Sequence, residues 1–146
     1  MSNDLSQELD RLAIMDLLIR YAISVDDHDF PAMRSCFADD LVFVNIGSPE
    51  AQHGGDTYTA VIRRLLKPFG ATQHLLGNQV VEFHGDAAHV ETDLQATHFM
   101  AGDPDTITTL WATYVDEMAR VGDGHEWTIT HRDLRTRGTQ RTTNAA

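Results

Sequence analysis

At Gly70 the hydrophobic period of this chain changes from about 3.6 residues to 2, and that change restricts the fold more than any other feature of the sequence. Before it, apolar residues recur at helical spacing from Leu5 to about Val25, in one row of Leu12, Met15, Ile19 and Ala22 and a neighbouring row of Ile14, Leu18, Tyr21 and Val25. Both rows are expected on one wide buried face. A second short helix is predicted from Pro31, a residue suited to a first helical turn, to Phe37. Leu41–Ile46 reads as a short strand closed by Gly47, and Thr57–Leu66 as a third helix ended by Pro68 and Gly70. Beyond Gly70 four strands follow: Thr72–Phe83, Ala87–Met100, Thr106–Arg120 and Glu126–Arg135. Gly85-Asp86, Gly102-Asp103-Pro104-Asp105 and Gly122-Asp123-Gly124 separate them, and turns this short imply an antiparallel meander. The expected fold class is α+β, one domain over residues 1–135, with a loose polar tail over 136–146.

A strongly curved sheet with helices packed on its concave side makes a cone, and a cone of this size encloses a small-molecule cavity. The formal charge of −11 points away from nucleic acid, whose binders present a basic face. It points equally away from anionic lipid surfaces. No apolar run approaches the roughly 20 residues of a membrane helix, and Met1-Ser2-Asn3-Asp4 lacks the basic and apolar regions of a signal peptide. One cysteine, Cys36, allows no internal disulfide. The expectation is a cytoplasmic protein whose partner is a small-molecule substrate.

Strand parity and helix phase select the residues able to do chemistry in such a cavity. In Ala87–Met100 one face carries Ala88, Val90, Leu94, Ala96, His98 and Met100, and the other carries His89, Glu91, Asp93, Gln95 and Thr97. His98 is therefore expected inward. His74 shares its parity with Leu76 and Val80, unless Gly77 marks a bulge. Asp26 extends the row Leu12–Met15–Ile19–Ala22, and Tyr21 lies in the adjoining row. An inward carboxylate is costly unless paired, and a helix C-terminus disfavours negative charge. Two local rules broken at one residue mark a functional candidate. The competing reading ends the helix a residue early and leaves Asp26 in the acidic turn Asp26-Asp27-His28-Asp29; for His74 it is a satisfied core histidine. An inward carboxylate bonded to one imidazole nitrogen would leave the other as a general base. Trp111 is assigned to the wall of the substrate site, and Arg132 to a substrate oxygen or carboxylate, with a surface ion pair as the alternative. Other motifs fail. His131-Arg132-Asp133-Leu134 has no phosphate loop to serve, His84-Gly85-Asp86 is a hairpin turn, and Cys36 has no recognisable base. Two histidines with Asp26 have the composition of a facial metal triad, but no His-x-x-x-His pair or cysteine ligand accompanies them, so no metal is expected.

Several segments resemble SnoaL-like proteins of the nuclear-transport-factor-2-like superfamily. They are Leu12-Ala13-Ile14-Met15-Asp16-Leu17 with Tyr21 and Asp26, Thr72-Gln73-His74 with Gly77-Asn78, Gly85-Asp86-Ala87, and Trp127–Arg132. The resemblance implies a cystatin-like α+β barrel. Within the superfamily, scytalone dehydratase has an Asp and two His at positions matching Asp26, His74 and His98. The bile-acid dehydratases pair a Tyr, Asp and His that match Tyr21, Asp26 and His74. A Val, Val25, stands where scytalone dehydratase has a Tyr directly before its Asp. The resemblance implies a cofactor-independent lyase or isomerase of dehydratase type, in which His74 oriented by Asp26 takes a proton and His98 or Tyr21 serves the departing oxygen. Its alternatives are a polyketide-type cyclase on the same pair, or a non-catalytic small subunit of an aromatic-ring dioxygenase. It also implies a homodimer or homotrimer formed through the outer face of the sheet.

Overall fold

A computed structural model describes residues 2–144. Helix α1 (Ser2–Asp26) is followed by α2 (Phe30–Arg34), β1 (Phe37–Val44), β2 (Gln52–His53) and α3 (Gly55–Leu66). Four long strands complete the chain: β3 (Phe69–His84), β4 (Ala87–Met100), β5 (Asp103–Val121) and β6 (Glu126–Thr143). The six strands form one sheet in the order β2-β1-β6-β5-β4-β3. The meander from β3 to β6 is antiparallel as expected, but β1 joins β6 in parallel, so the sheet is mixed and open rather than wholly antiparallel. That parallel pair is legible only in three dimensions, because α3 and the whole meander separate its strands in sequence.

Bulges bend the sheet around the helices. One lies between Leu76 and Gln79 in β3, and two lie in β6, at Arg137 opposite Trp111/Ala112 and at Thr130 opposite Glu117/Met118. The first reverses the parity of β3: Leu76 packs on the core, but beyond the bulge Val81 is buried and Val80 exposed. The expectation that Val80 shares the inward face of His74 therefore fails at Gly77-Asn78. The core lies between α1, α3 and the concave face, with Ile14, Leu18, Tyr21 and Val25 meeting Val90, Met118 and Ile129.

Two further expectations are overturned. Residues 136–143 are not a loose tail, since β6 runs to Thr143 and this stretch pairs with Thr106–Ala112 of β5 across one bulge. The frequent threonines of both strands suit a pleated surface, but β6 carries no apolar alternation here to announce it. Leu12, Met15 and Ile19 are exposed, and only Ala22 of that row is buried. The buried face of α1 is instead Ile14, Leu17, Leu18, Tyr21 and Val25. Helix α1 is apolar on two opposite sides, which leaves its phase undetermined by periodicity alone.

Candidate active site

Helix α1 stops in a way that fixes its last carboxylate. Asp29 N–H donates to the Ser24 carbonyl and His28 N–H to that of Val25, with His28 in the left-handed region at φ 55°. This Schellman closure makes Asp26 the final helical residue. Asp29 then caps α2, accepting from the Ala32 N–H at 3.0 Å. Strand β3 enters alongside and meets Asp26 with three donors. Thr72 Oγ1 donates to Oδ1 at 2.8 Å, the His74 backbone N–H to Oδ2 at 2.8 Å, and His74 Nδ1–H to Oδ1 at 2.7 Å. Burial works to raise the Asp26 pKa, but the bonds from His74 and Thr72 outweigh it and hold the carboxyl below its ordinary value. Asp26 is thus an anion whose immediate neighbours include no Arg or Lys. With Nδ1–H committed to Asp26, Nε2 of His74 is the nitrogen available to a substrate.

Both imidazoles line one cavity. It has a volume of about 230 Å³ and a largely apolar wall that includes Val25, Ile62, Leu66, Phe69 and Leu110. His98 stands edge-on to His74, with ring centroids 5.6 Å apart, and packs on Phe69. Its Nδ1 lies 3.3 Å from the Thr108 carbonyl, which can only accept, so Nδ1 carries the proton and Nε2 is an acceptor. Burial first, then the neighbouring His74, lowers the His98 pKa, and the ring stays neutral.

Tyr21, Tyr58 and Tyr114 form another wall. The hydroxyls of Tyr21 and Tyr58 are 2.6 Å apart, so one donates to the other and one O–H of the pair is left to donate elsewhere. Burial pushes the pKa of all three up, keeping them protonated. Behind them lies Arg132, fully buried, bidentate to Asp116 at 2.8 and 2.7 Å, and 3.9 Å from the Tyr114 ring centre and 4.4 Å from that of Tyr21. Burial opposes its charge, but Asp116 and the tyrosines more than restore it.

His74, His98 and Tyr21 line one cavity and Asp26 is bonded to His74, although the row Leu12–Met15–Ile19 that Asp26 extends faces outward. The geometry does not bring in the two residues assigned to the substrate. Trp111 is 37% exposed beside Leu75 and Gln95 on the outer face, because Leu110 and Ala112 take the inward positions of β5. Arg132 faces the cone but is sealed behind the tyrosines, absent from the cavity lining. Sequence reasoning missed Tyr58 and Asp116. Tyr58 shares a helical row with Val61 and Leu65, and Asp116 lies between Tyr114 and Met118 in alternation, so each carried a signal. Among the described residues no three His, Cys, Asp or Glu side chains converge as a metal-binding group.

A model of the SnoaL-like domain matches residues 7–133, which is most of the chain and all of the site. The chain belongs to the SnoaL-like domain family. No curated protein matches it at a significant level. Among solved structures, this SnoaL-like chain is similar to a provisionally assigned scytalone dehydratase from Novosphingobium aromaticivorans DSM 12444. That match has a TM-score of 0.84 and 20% identity, covering 100% of this chain and 95% of the other. It is similar also to a type 2 hexachlorocyclohexane dehydrochlorinase, LinA, with a TM-score of 0.83, 20% identity and coverage of 97% and 95%. A third similar structure is a provisionally assigned aromatic ring hydroxylase from Novosphingobium aromaticivorans, with a TM-score of 0.79, 26% identity and coverage of 91% and 93%. These likenesses establish a SnoaL-like, cystatin-like fold, and on such folds activity resides in the site.

Proposed function

We propose that this protein is a lyase of dehydratase type that removes a proton from a small, largely apolar substrate without a cofactor. The observation that carries the reading is the 2.7 Å contact between Asp26 Oδ1 and His74 Nδ1, made inside an apolar cavity that His74 also lines. Asp26 fixes the tautomer and stabilises the imidazolium formed when Nε2 takes a proton from carbon beside a carbonyl or similar activating group. The remaining O–H of the Tyr21–Tyr58 pair donates to the oxygen that gains charge or departs. Arg132, stacked on the rings, favours negative charge on that pair. His98, an acceptor at Nε2, holds a substrate hydroxyl rather than serving as the acid. A cavity of about 230 Å³ falls below the usual range for drug-sized ligands and fits a compact metabolite. Ring closure initiated by the same proton abstraction is the nearest variant of this chemistry.

The structure similar to a ring hydroxylase favours a second reading, a subunit without catalytic groups of its own. Against it stands the cost of keeping Asp26 unneutralised in a partly buried place, which a purely structural subunit has no reason to bear. Solvent exchange separates the two. A panel of small β-hydroxy and β-halo carbonyl compounds is incubated with the protein in heavy water, and deuterium at the activated carbon and loss of the β-substituent are followed. Exchange or elimination that disappears in His74→Ala supports the lyase. No exchange anywhere in the panel, together with copurification of a large iron–sulfur subunit, supports the alternative.

A further inference from the structure

Helix α1 has a second apolar face that no other part of the described residues covers. Leu5, Leu9, Leu12, Met15, Ile19 and Ile23 are each between 40% and 65% exposed, on the side of the helix opposite Ile14, Leu18 and Val25. A helix apolar all round belongs in an interior. The spacing along this face is 4, 3, 4, 3, 4 through Leu5, Leu9, Leu12, Asp16, Ile19 and Ile23, which is a heptad seam with one polar position. We infer that α1 of a second copy of this chain packs antiparallel on this seam, making a two-fold dimer.

The register follows from the seam itself. In an antiparallel pair the two kinds of core position face one another, so Leu5 meets Ile23, Leu9 meets Ile19 and Leu12 meets Asp16, with the two-fold axis close to residue 14. Leu5, Leu9, Ile19 and Ile23 then each have an apolar partner, and Leu12 covers the aliphatic part of the Asp16 side chain. A parallel pair would set Asp16 against Asp16, a like-charge layer that the antiparallel arrangement avoids. The flanks agree: Glu8 falls near Ala22, Met15 near its own copy, and Arg20 near Ser6. No acid faces an acid, which matters in a chain of net charge −11. Covering the stripe on both copies removes on the order of 1,000 Å² of surface, the lower bound for a specific interface. The outer face of the sheet makes a poorer contact, since its polar groups already satisfy one another. Asp93 accepts from Thr113 and Arg137, and His89 bonds Glu117.

The test is the mass of the full-length protein in solution by light scattering across a range of concentrations. The expected result is a dimer that Leu9→Glu with Ile19→Glu halves to a monomer, and that Trp111→Ser with Leu75→Ser on the sheet leaves intact. Cysteine cross-linking does not depend on those variants folding well. Met15→Cys should oxidise to a covalent dimer, and Leu5→Cys should cross-link only when mixed with Ile23→Cys. Asp16→Leu should tighten the dimer. A monomer at every concentration overturns the inference, as does a dimer abolished by the sheet variants, or Leu5→Cys cross-linking to itself.

Discussion

Helix α1 carries two carboxylates that each accept a bond from a histidine Nδ1, and the two have opposite uses. Asp10, near the N-terminal end, accepts from Arg120 at 2.7 and 2.8 Å, from His125 at 2.8 Å and from Trp127 Nε1 at 3.0 Å. Asp26, at the C-terminal end, accepts from His74 twice and from Thr72. The decisive difference is the resident cation. A guanidinium neutralises Asp10, and Arg120 foremost holds that carboxyl far below the ordinary carboxylate range. Its histidine is half-exposed and lines no apolar cavity. Asp26 has no guanidinium or ammonium, so its charge is matched only when His74 gains a proton. A buried carboxylate complete in its ground state fastens a fold. One left incomplete until a proton moves can drive that movement.

The comparison makes its largest prediction for activity at the Asp26 end. His74→Ala should lower turnover by ~10²–10⁴-fold, the usual worth of a positioned general base. Asp26→Asn should approach the same loss, because the amide cannot stabilise an imidazolium and can favour the wrong tautomer. Melting temperature should fall modestly in Asp26→Asn, since the fold favours the carboxylate and the amide leaves one of its donors unmatched. Steady-state turnover beside a thermal melt decides it. A folded His74→Ala variant with unchanged turnover would falsify the mechanism.

The opposite pattern is expected at the other end. Asp10→Asn takes from the Arg120 guanidinium its buried carboxylate, leaving it only the exposed Asp86, and loosens the β5–β6 turn from α1. Breaking such a pair should lower stability by about 2–4 kcal/mol, read as a lower denaturation midpoint, with the turnover of the folded fraction unchanged. Lost turnover at full stability would mean the two ends are not separable.

How much of this was open to the sequence depends on which physical signal each residue carried. The meander, both inward histidines and the inward tyrosine follow from period and parity, because alternation on a half-buried strand is a strong local pattern. Asp26 was identified although the row supporting it, Leu12–Met15–Ile19, faces outward. Its place at the edge of the buried face depends on the Schellman turn and on β3 arriving with Thr72 and His74, neither of which periodicity encodes. Arg132 was legible as inward-capable but not as sealed, since its fate depends on Asp116 across a strand pair and on three aromatic rings. The second apolar face of α1 misled the phase because a sequence records that residues are apolar and not what covers them.

A smaller effect comes from His98, which no carboxylate neutralises. Its pKa is lowered in the fold by burial and by His74, so the folded state favours the neutral ring. The stability it contributes is present above the unfolded histidine value near 6.5 and is lost as pH falls below it. His98→Gln should remove that part of the acid-side decline in melting temperature. His89, raised by Glu117 foremost, has the reverse sign, so its contribution fades as pH rises. Subtracting the variant's pH profile from that of the parent isolates His98. If the two profiles are parallel from pH 5 to 8, the ring is not held neutral by the fold.

The smallest effect is expected one residue from the largest. Asp27 follows Asp26 and is rotated about 100° further around the helix axis. Its backbone N–H closes the helix onto the Ile23 carbonyl, and its side chain is exposed. Thr72 and His74 approach only Asp26, so the carboxylate of Asp27 neither orients an imidazole nor meets a donor that would be stranded by its loss. Asp27→Asn should therefore leave turnover within a factor of about two and stability within about 0.5 kcal/mol. Made alongside Asp26→Asn, it has identical chemistry and nearly identical sequence position, so the pair cancels any general consequence of removing negative charge from the end of α1. A loss confined to Asp26→Asn assigns the effect to contact with His74. Equal losses in both would assign it to the helix terminus, and the unneutralised carboxylate would no longer explain the site.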